Sequence, residues 1–209
     1  MNLSDKPEVA HAGAQLLHPG SRILFRHWET VRAERPCPYR TDIELRAISK
    51  LMPWLAIIEL GQNVNAPVFK LAGTSVCDLF QTQLTGTQVG ADMDRFERRV
   101  VDETLLLSLQ KLQPSVIRLR FVTVAGTVTT AELLALPVFN TALGINQLFS
   151  GVFSFGPSTE AYKDTLSRIE LIATRMIWTE HQVSATSLDE MARSAPQPFR
   201  VIQGGVAGR

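Results

Sequence analysis

Cysteine is almost missing from this chain: among 209 residues there are 2, Cys37 and Cys77. They lie too far apart for a CxxC redox pair or a zinc knuckle, so they read as free thiols in a reducing compartment. Long apolar runs are missing as well. No window approaches the ~18 uninterrupted apolar residues of a spanning helix, and Met1–Glu8 lacks the basic start and apolar run of a signal peptide. Both absences predict a cytoplasmic chain with no membrane span. An excess of one charge is lacking too, since 21 Lys and Arg face 20 Asp and Glu for a net charge of +1. Arg95, Arg98 and Arg99 are interrupted by Glu97, Asp102 and Glu103, and Arg118 and Arg120 alternate along one strand, so both groups read as solvated faces rather than a nucleic-acid stripe. No GxSxG elbow, GxxxxGK[ST] loop or HExxH pair occurs, and no histidine is placed by a local pattern to activate either thiol. The sequence therefore predicts a protein that is not an enzyme.

What is present is a soluble globular composition, 45% apolar and 20% charged, with enough chain for one ordinary domain. Residues 1–18 are small and polar and read as a mobile arm. Leu24, Trp28 and Val31 then recur at helical spacing, and Arg35-Pro36-Cys37-Pro38 stops that helix. A second short helix is expected over Glu44–Leu51 with Asp42 as its cap, ending before Pro53. Trp54–Leu60 and Pro67–Leu71 read as paired strands, followed by a short helix from Gly73 to Phe80. A longer helix is expected over Asp92–Leu112 with Phe96, Val100, Thr104 and Leu107 on its inner face. After Pro114 the period changes to two, giving strands over Val116–Phe121, Thr127–Phe139 and Leu148–Phe155. Residues 163–178 show Leu166, Ile169, Ile172, Ala173 and Met176 at helical spacing and read as a last helix. A loose tail rich in Pro and Gly is expected beyond Glu190. Consecutive pairing of the strands makes the sheet antiparallel, with the intervening helices over one face to bury Phe69, Leu79, Phe96, Leu107, Leu119 and Phe121 together.

Four segments in this order carry a resemblance: Trp28 with Arg32, Pro38-Tyr39-Arg40-Thr41-Asp42-Ile43, Leu71-Ala72-Gly73-Thr74, and Leu84-Thr85-Gly86. Over roughly residues 20–156 the chain resembles a family of short bacterial PAS-domain proteins found chiefly as stand-alone modules; Glu44-Leu45 stands where that pattern has a Pro after Asp-Ile. The resemblance implies an α+β fold, a PAS-like five-stranded antiparallel sheet with helices over one face, used for sensing, dimerisation or docking. On this reading the chain divides into the arm at 1–18, a PAS-like domain with its N-terminal helix at 19–156, and a helical extension and tail at 157–209. The ~50 residues after Phe155 are too few for a kinase or cyclase domain, so the expected output is contact with a protein partner.

PAS pockets often hold haem, flavin or a small organic molecule. Haem on a histidine is disfavoured because His11, His18, His27 and His181 all lie outside the span from Trp28 to Glu180. A photoactive flavin is disfavoured because Cys77 precedes the Leu-Thr-Gly turn rather than following it. The cofactor therefore stays unknown. Phe69, Leu71, Val76, Phe80, Phe96, Leu119, Phe121, Leu133 and Phe153 are the candidates to line a pocket for a small apolar ligand, or simply to pack on each other. Arg40 and Asp42 form either a structural pair or an anion contact through the guanidinium. Leu24, Trp28 and Val31 are the candidate homodimer or partner contact, because an amphipathic helix beside a sheet domain exposes its stripe unless another surface covers it. The expected function is a cytoplasmic PAS-type sensory and regulatory module acting through protein contact, with modulation by a small ligand left open. The alternative is a small-molecule enzyme or carrier that uses the helix-covered sheet as its cavity.

Overall fold

In a computed structural model the described residues are 15–61, 66–156 and 164–179. The expected arm before residue 15, His11, His181 and the tail beyond Glu190 lie outside them. The helices are α1 (Pro19–Arg32), α2 (Thr74–Phe80) and α3 (Arg95–Lys111). The strands are β1 (Leu55–Leu60), β2 (Pro67–Ala72), β3 (Ser115–Thr123), β4 (Val128–Asn140), β5 (Ile145–Ser154) and β6 (Leu166–Met176). They form one antiparallel sheet in the order β2-β1-β5-β4-β3-β6. This is the α+β, PAS-like architecture expected, with a sixth strand in place of the last helix. The helical reading of 163–178 fails because two register irregularities in the β3–β6 ladder, at Arg118/Leu119 and Val122/Thr123, space the inward residues unevenly. Leu166, Ile169 and Leu171 all pack on one core; the interval of three across the bulge is one a helix also accepts, whereas Ile172 and Ala173 of the expected stripe are exposed.

Both faces of the sheet are covered, and each has its own core. On the inner face, under α2 and α3, lie Phe69, Val76, Phe80, Val101, Leu105, Leu119, Phe121 and Leu133. On the outer face, under α1 and the segment leading to β1, lie Leu24, Trp28, Ile43, Ile57, Leu136, Phe149 and Phe153. Alternation along the strands produces both at once: in β1, Ala56 and Ile58 point inward while Leu55 and Ile57 point outward.

The α3 stripe is rotated by about one position from the expectation. Val101, Leu105, Ser108 and Leu109 are its buried residues, whereas Phe96 is 75% exposed and Leu107 37%. Residues 44–51 form turns leading into a 3₁₀ segment, Ser49–Trp54, rather than an α-helix. The buried apolar residues there, Ile43 and Ile48, are five apart, which no single helical face accommodates, and Pro53 follows. Two of the short motifs have a geometric reason. A Cβ on Gly73 would sit 2.3 Å from the Pro53 carbonyl oxygen, so only glycine lets the start of α2 touch that segment. Gly86 has φ +86°, and its N–H donates to the Phe69 carbonyl at 2.7 Å, tying the Leu-Thr-Gly turn to β2.

Candidate functional site

The expected interior pocket is filled by its own side chains. The Phe69 and Phe80 rings meet edge to face at 6.0 Å, and Phe80 meets Phe121 the same way at 5.1 Å. Val76, Leu119 and Leu133 are buried around them, so six of the nine candidates form one packed group. The other three do not join it. Phe153 is buried on the opposite face of the sheet, Phe96 stands on the surface of α3, and Leu71 is half exposed on the outer side. Alternation explains Phe153: its neighbour Val152 is the β5 residue that faces inward. Beside the aromatic group a cleft of about 120 Å³ opens between Phe69, Phe80, Leu84, Gln88 and Ile169. Near it the Gln88 side-chain amide donates to Asp102 Oδ2 at 2.8 Å, while Asp102 Oδ1 is buried without a partner. Burial raises the Asp102 pKa above the usual carboxylate value, opposed by the Gln88 hydrogen bond and by Arg98.

On the outer face the chain holds its N-terminal helix with buried polar contacts. Glu132 of β4 is fully buried. Its oxygens accept from the backbone N–H groups of Leu17 and His18, each at 3.1 Å, and from Arg118 Nε at 3.3 Å. Residues 15–18 of the expected arm are thereby fixed to the sheet, with Leu16 buried. His18 caps α1 by accepting the Gly20 N–H at its Nδ1, 3.0 Å away, and its ring stacks on Phe153 at 5.1 Å. Burial lowers the His18 pKa below its ordinary value, against the attraction of Glu132. Further along α1, Trp28 Nε1 donates to the Pro137 carbonyl at 2.7 Å. Leu24 and Trp28 have no exposed surface and Val31 is partly buried. The cover that this stripe required is thus supplied by the chain's own sheet, which corrects its assignment as a free docking surface.

Arg40 and Asp42 separate. Asp42 accepts from Arg35 Nη2 at 2.5 Å and from the Tyr39 N–H at 3.1 Å, whereas Arg40 Nη1 donates to Gln147 Oε1 at 3.2 Å. Arg40 stands over β5 at the mouth of a cleft of about 220 Å³, walled by Ile43, Met52, Ile57, Leu71 and Phe149. Gln147, which the sequence reading passed over, is fully buried and links Arg40 to Asn140 and Glu59. A buried polar residue at the sheet-facing position of an otherwise apolar strand was the available signal for it, as was Glu132 within Ala131–Leu136.

The thiols sit apart. Cys37 is buried and its pKa is pushed up to about 12, chiefly by desolvation, which makes it a poor nucleophile. Cys77 is buried at the edge of an open groove with Asp78 and Gln81. Among the described residues no group of three or more His, Cys, Asp or Glu is placed to hold a metal, and no helix is long and apolar enough to cross a membrane. Several of the basic residues are engaged locally: Arg99 pairs with Glu103, Arg118 with Glu132, and Arg120 and Arg168 with Glu170.

A family model described as a PAS domain matches residues 16–154, from the residue before the Glu132 clamp to the end of β5. Neither the curated proteins nor the solved structures contain a match to the chain.

Proposed function

The chain belongs to the PAS-domain family, and from that premise we propose that it is a regulatory module whose output is contact with another protein, modulated by a small ligand. PAS domains as a class are sensory and regulatory rather than catalytic, and they make signalling contacts and dimerise. The observation that carries the proposal for this chain is the covering of both sheet faces. The inner face is packed around Phe69, Phe80 and Phe121 with a cleft of about 120 Å³ beside them, while the outer face keeps a larger cleft of about 220 Å³ next to the segment that joins α1 to β1. A ligand in that cleft would touch the connection between helix and sheet, and a partner would read the helix or the surface around it. Phe96 and Trp178, 75% and 70% exposed, are apolar groups that a partner or a second copy would cover.

The test is purification of the full chain from its own host at native abundance, followed by native mass spectrometry. The expected result is a stoichiometric protein partner or a dimer, together with a retained small molecule whose removal changes that association. A monomer that carries nothing and is not stabilised against heat by any host extract would overturn the proposal.

A further inference from the structure

The outer cleft gathers apolar groups that nothing in the described chain covers. Leu45, Met52 and Leu71 are 46%, 49% and 51% exposed and lie together, backed by the buried Ile43, Ile57 and Phe149. Isolated exposed apolar residues are ordinary, but a concave group of them with one charged residue at its rim is the composition of a small-molecule site. The charged residue is Arg40, and its setting is built rather than incidental. Gln147, without exposed surface, takes Arg40 Nη1 on its Oε1, takes Asn140 Nδ2 on the same oxygen at 3.1 Å, and donates from Nε2 to Glu59 Oε2 at 2.8 Å. The other oxygen of Glu59 is held by Lys70 Nζ at 3.3 Å. The nearby carboxylate is therefore already engaged, and no carboxylate pairs with Arg40 among the described residues. The guanidinium has five donors in a rigid fork. Gln147 uses one of them and fixes the plane of the rest.

We propose that this cleft binds a small apolar monocarboxylate, with the carboxylate on the Arg40 fork and the apolar body between Met52, Ile57, Leu71 and Phe149. One cation sets the charge: a second anionic group on the ligand would face an apolar wall or the Glu59 side of the network. The size follows from the volume. About 220 Å³ lies below the ~300 Å³ of the smaller drug-sized pockets, which suits a small body such as a straight seven-carbon chain or a phenyl group. The site is on the face opposite the α2–α3 interior. It rests on the ligand-modulated reading above for its regulatory consequence alone, because binding is measured without any partner.

Octanoate and phenylacetate are the probes, titrated into the full chain while methyl resonances are followed by NMR. Saturable shifts are expected at the Met52 ε-methyl and the Ile43 and Ile57 δ-methyls. Arg40→Gln, at an exposed position, should keep the fold and weaken octanoate at least tenfold, and octan-1-ol should bind the parent chain at least tenfold more weakly than octanoate. Leu71→Asp, which places a carboxylate on the wall at a half-exposed position, should abolish binding without a change in melting temperature. Equal affinity for octanoate and octan-1-ol, unchanged binding by Arg40→Gln, or shifts at the Val76 and Leu133 methyls of the inner core instead would overturn the assignment. Octanoate that binds as described yet leaves partner retention unaltered would overturn the regulatory reading and leave the site standing.

Discussion

Glu132 is a carboxylate with no exposed surface in the middle of β4, and its contacts show what it does: it satisfies two backbone N–H groups ahead of α1 and one edge of Arg118. Removing one partner from such a buried charged group leaves the others desolvated and unpaired, at about 3–5 kcal/mol. Glu132→Ala is expected to lose stability on that scale in urea unfolding, and Glu132→Gln less, since the amide oxygen still accepts one N–H. Asp102 makes the opposite case. Burial raises its folded pKa above the ordinary 3.8, so the folded state disfavours its charge. The stability associated with the protonated form is present below pH 3.8 and is lost as pH rises through the raised value. Asp102→Asn keeps an acceptor for Gln88 and removes the charge. It should therefore be more stable than the parent chain at pH 7, with the difference closing toward pH 3; equal stability at both pH values would refute it. At this scale the sequence was half legible. The segment around Arg40 and Asp42 stood out, but its partners did not, because Gln147 lies 107 positions from Arg40 and nothing local points to it.

Among the elements, α1 has a cap that depends on protonation. His18 Nδ1 must be unprotonated to accept the Gly20 N–H, and burial lowers the His18 pKa from 6.5. The unfolded chain then binds the proton more readily than the folded one. Stability from this group is complete above pH 6.5 and is lost as pH falls through the lowered folded value. His18→Asn retains a side-chain cap and removes the titration. Amide exchange in the first turn of α1 should speed up on acidification in the parent chain but not in the variant, beyond the change both share. The elements themselves were read with uneven success, for reasons of pattern. The strands β1, β4 and β5 are buried on both faces and read as apolar runs between turn signals, β3 alternates through Ile117, Leu119 and Phe121 against Arg118 and Arg120, and α2 carries one helical stripe. In α3 the runs Val100-Val101 and Leu105-Leu106-Leu107 allow two stripes a position apart, and packing against the sheet selects the one through Val101, Leu105 and Leu109. In β6 the bulges gave a strand the spacing of a helix.

For the molecule as a whole, β6 lies beyond the matched residues 16–154, yet it closes one edge of the sheet. It pairs with β3 from Ser115 to Thr123 and carries Ile169 into the inner core, and the residue after it, Ile177, is buried in the outer core. Without it, β3 would become an edge with unpaired backbone groups and two exposed cores beside it, the arrangement that invites pairing between chains. At the opposite edge, β2 is already covered in part, since the Gly86 N–H donates to the Phe69 carbonyl, the Phe69 N–H to the Thr87 carbonyl and the Val89 N–H to the Pro67 carbonyl. The domain is therefore larger than its family match, and a chain shortened to residues 1–156 should fail to behave as a folded monomer or dimer. Removing the Ile169 side chain alone, as in Ile169→Ala, should cost about 2–5 kcal/mol and leave a soluble protein. If the shortened chain elutes as a discrete species and melts at the temperature of the full chain, β6 is an accessory rather than a part of the fold. If it aggregates while Ile169→Ala does not, the loss is that of the strand pairing and the closed edge, not of one buried side chain.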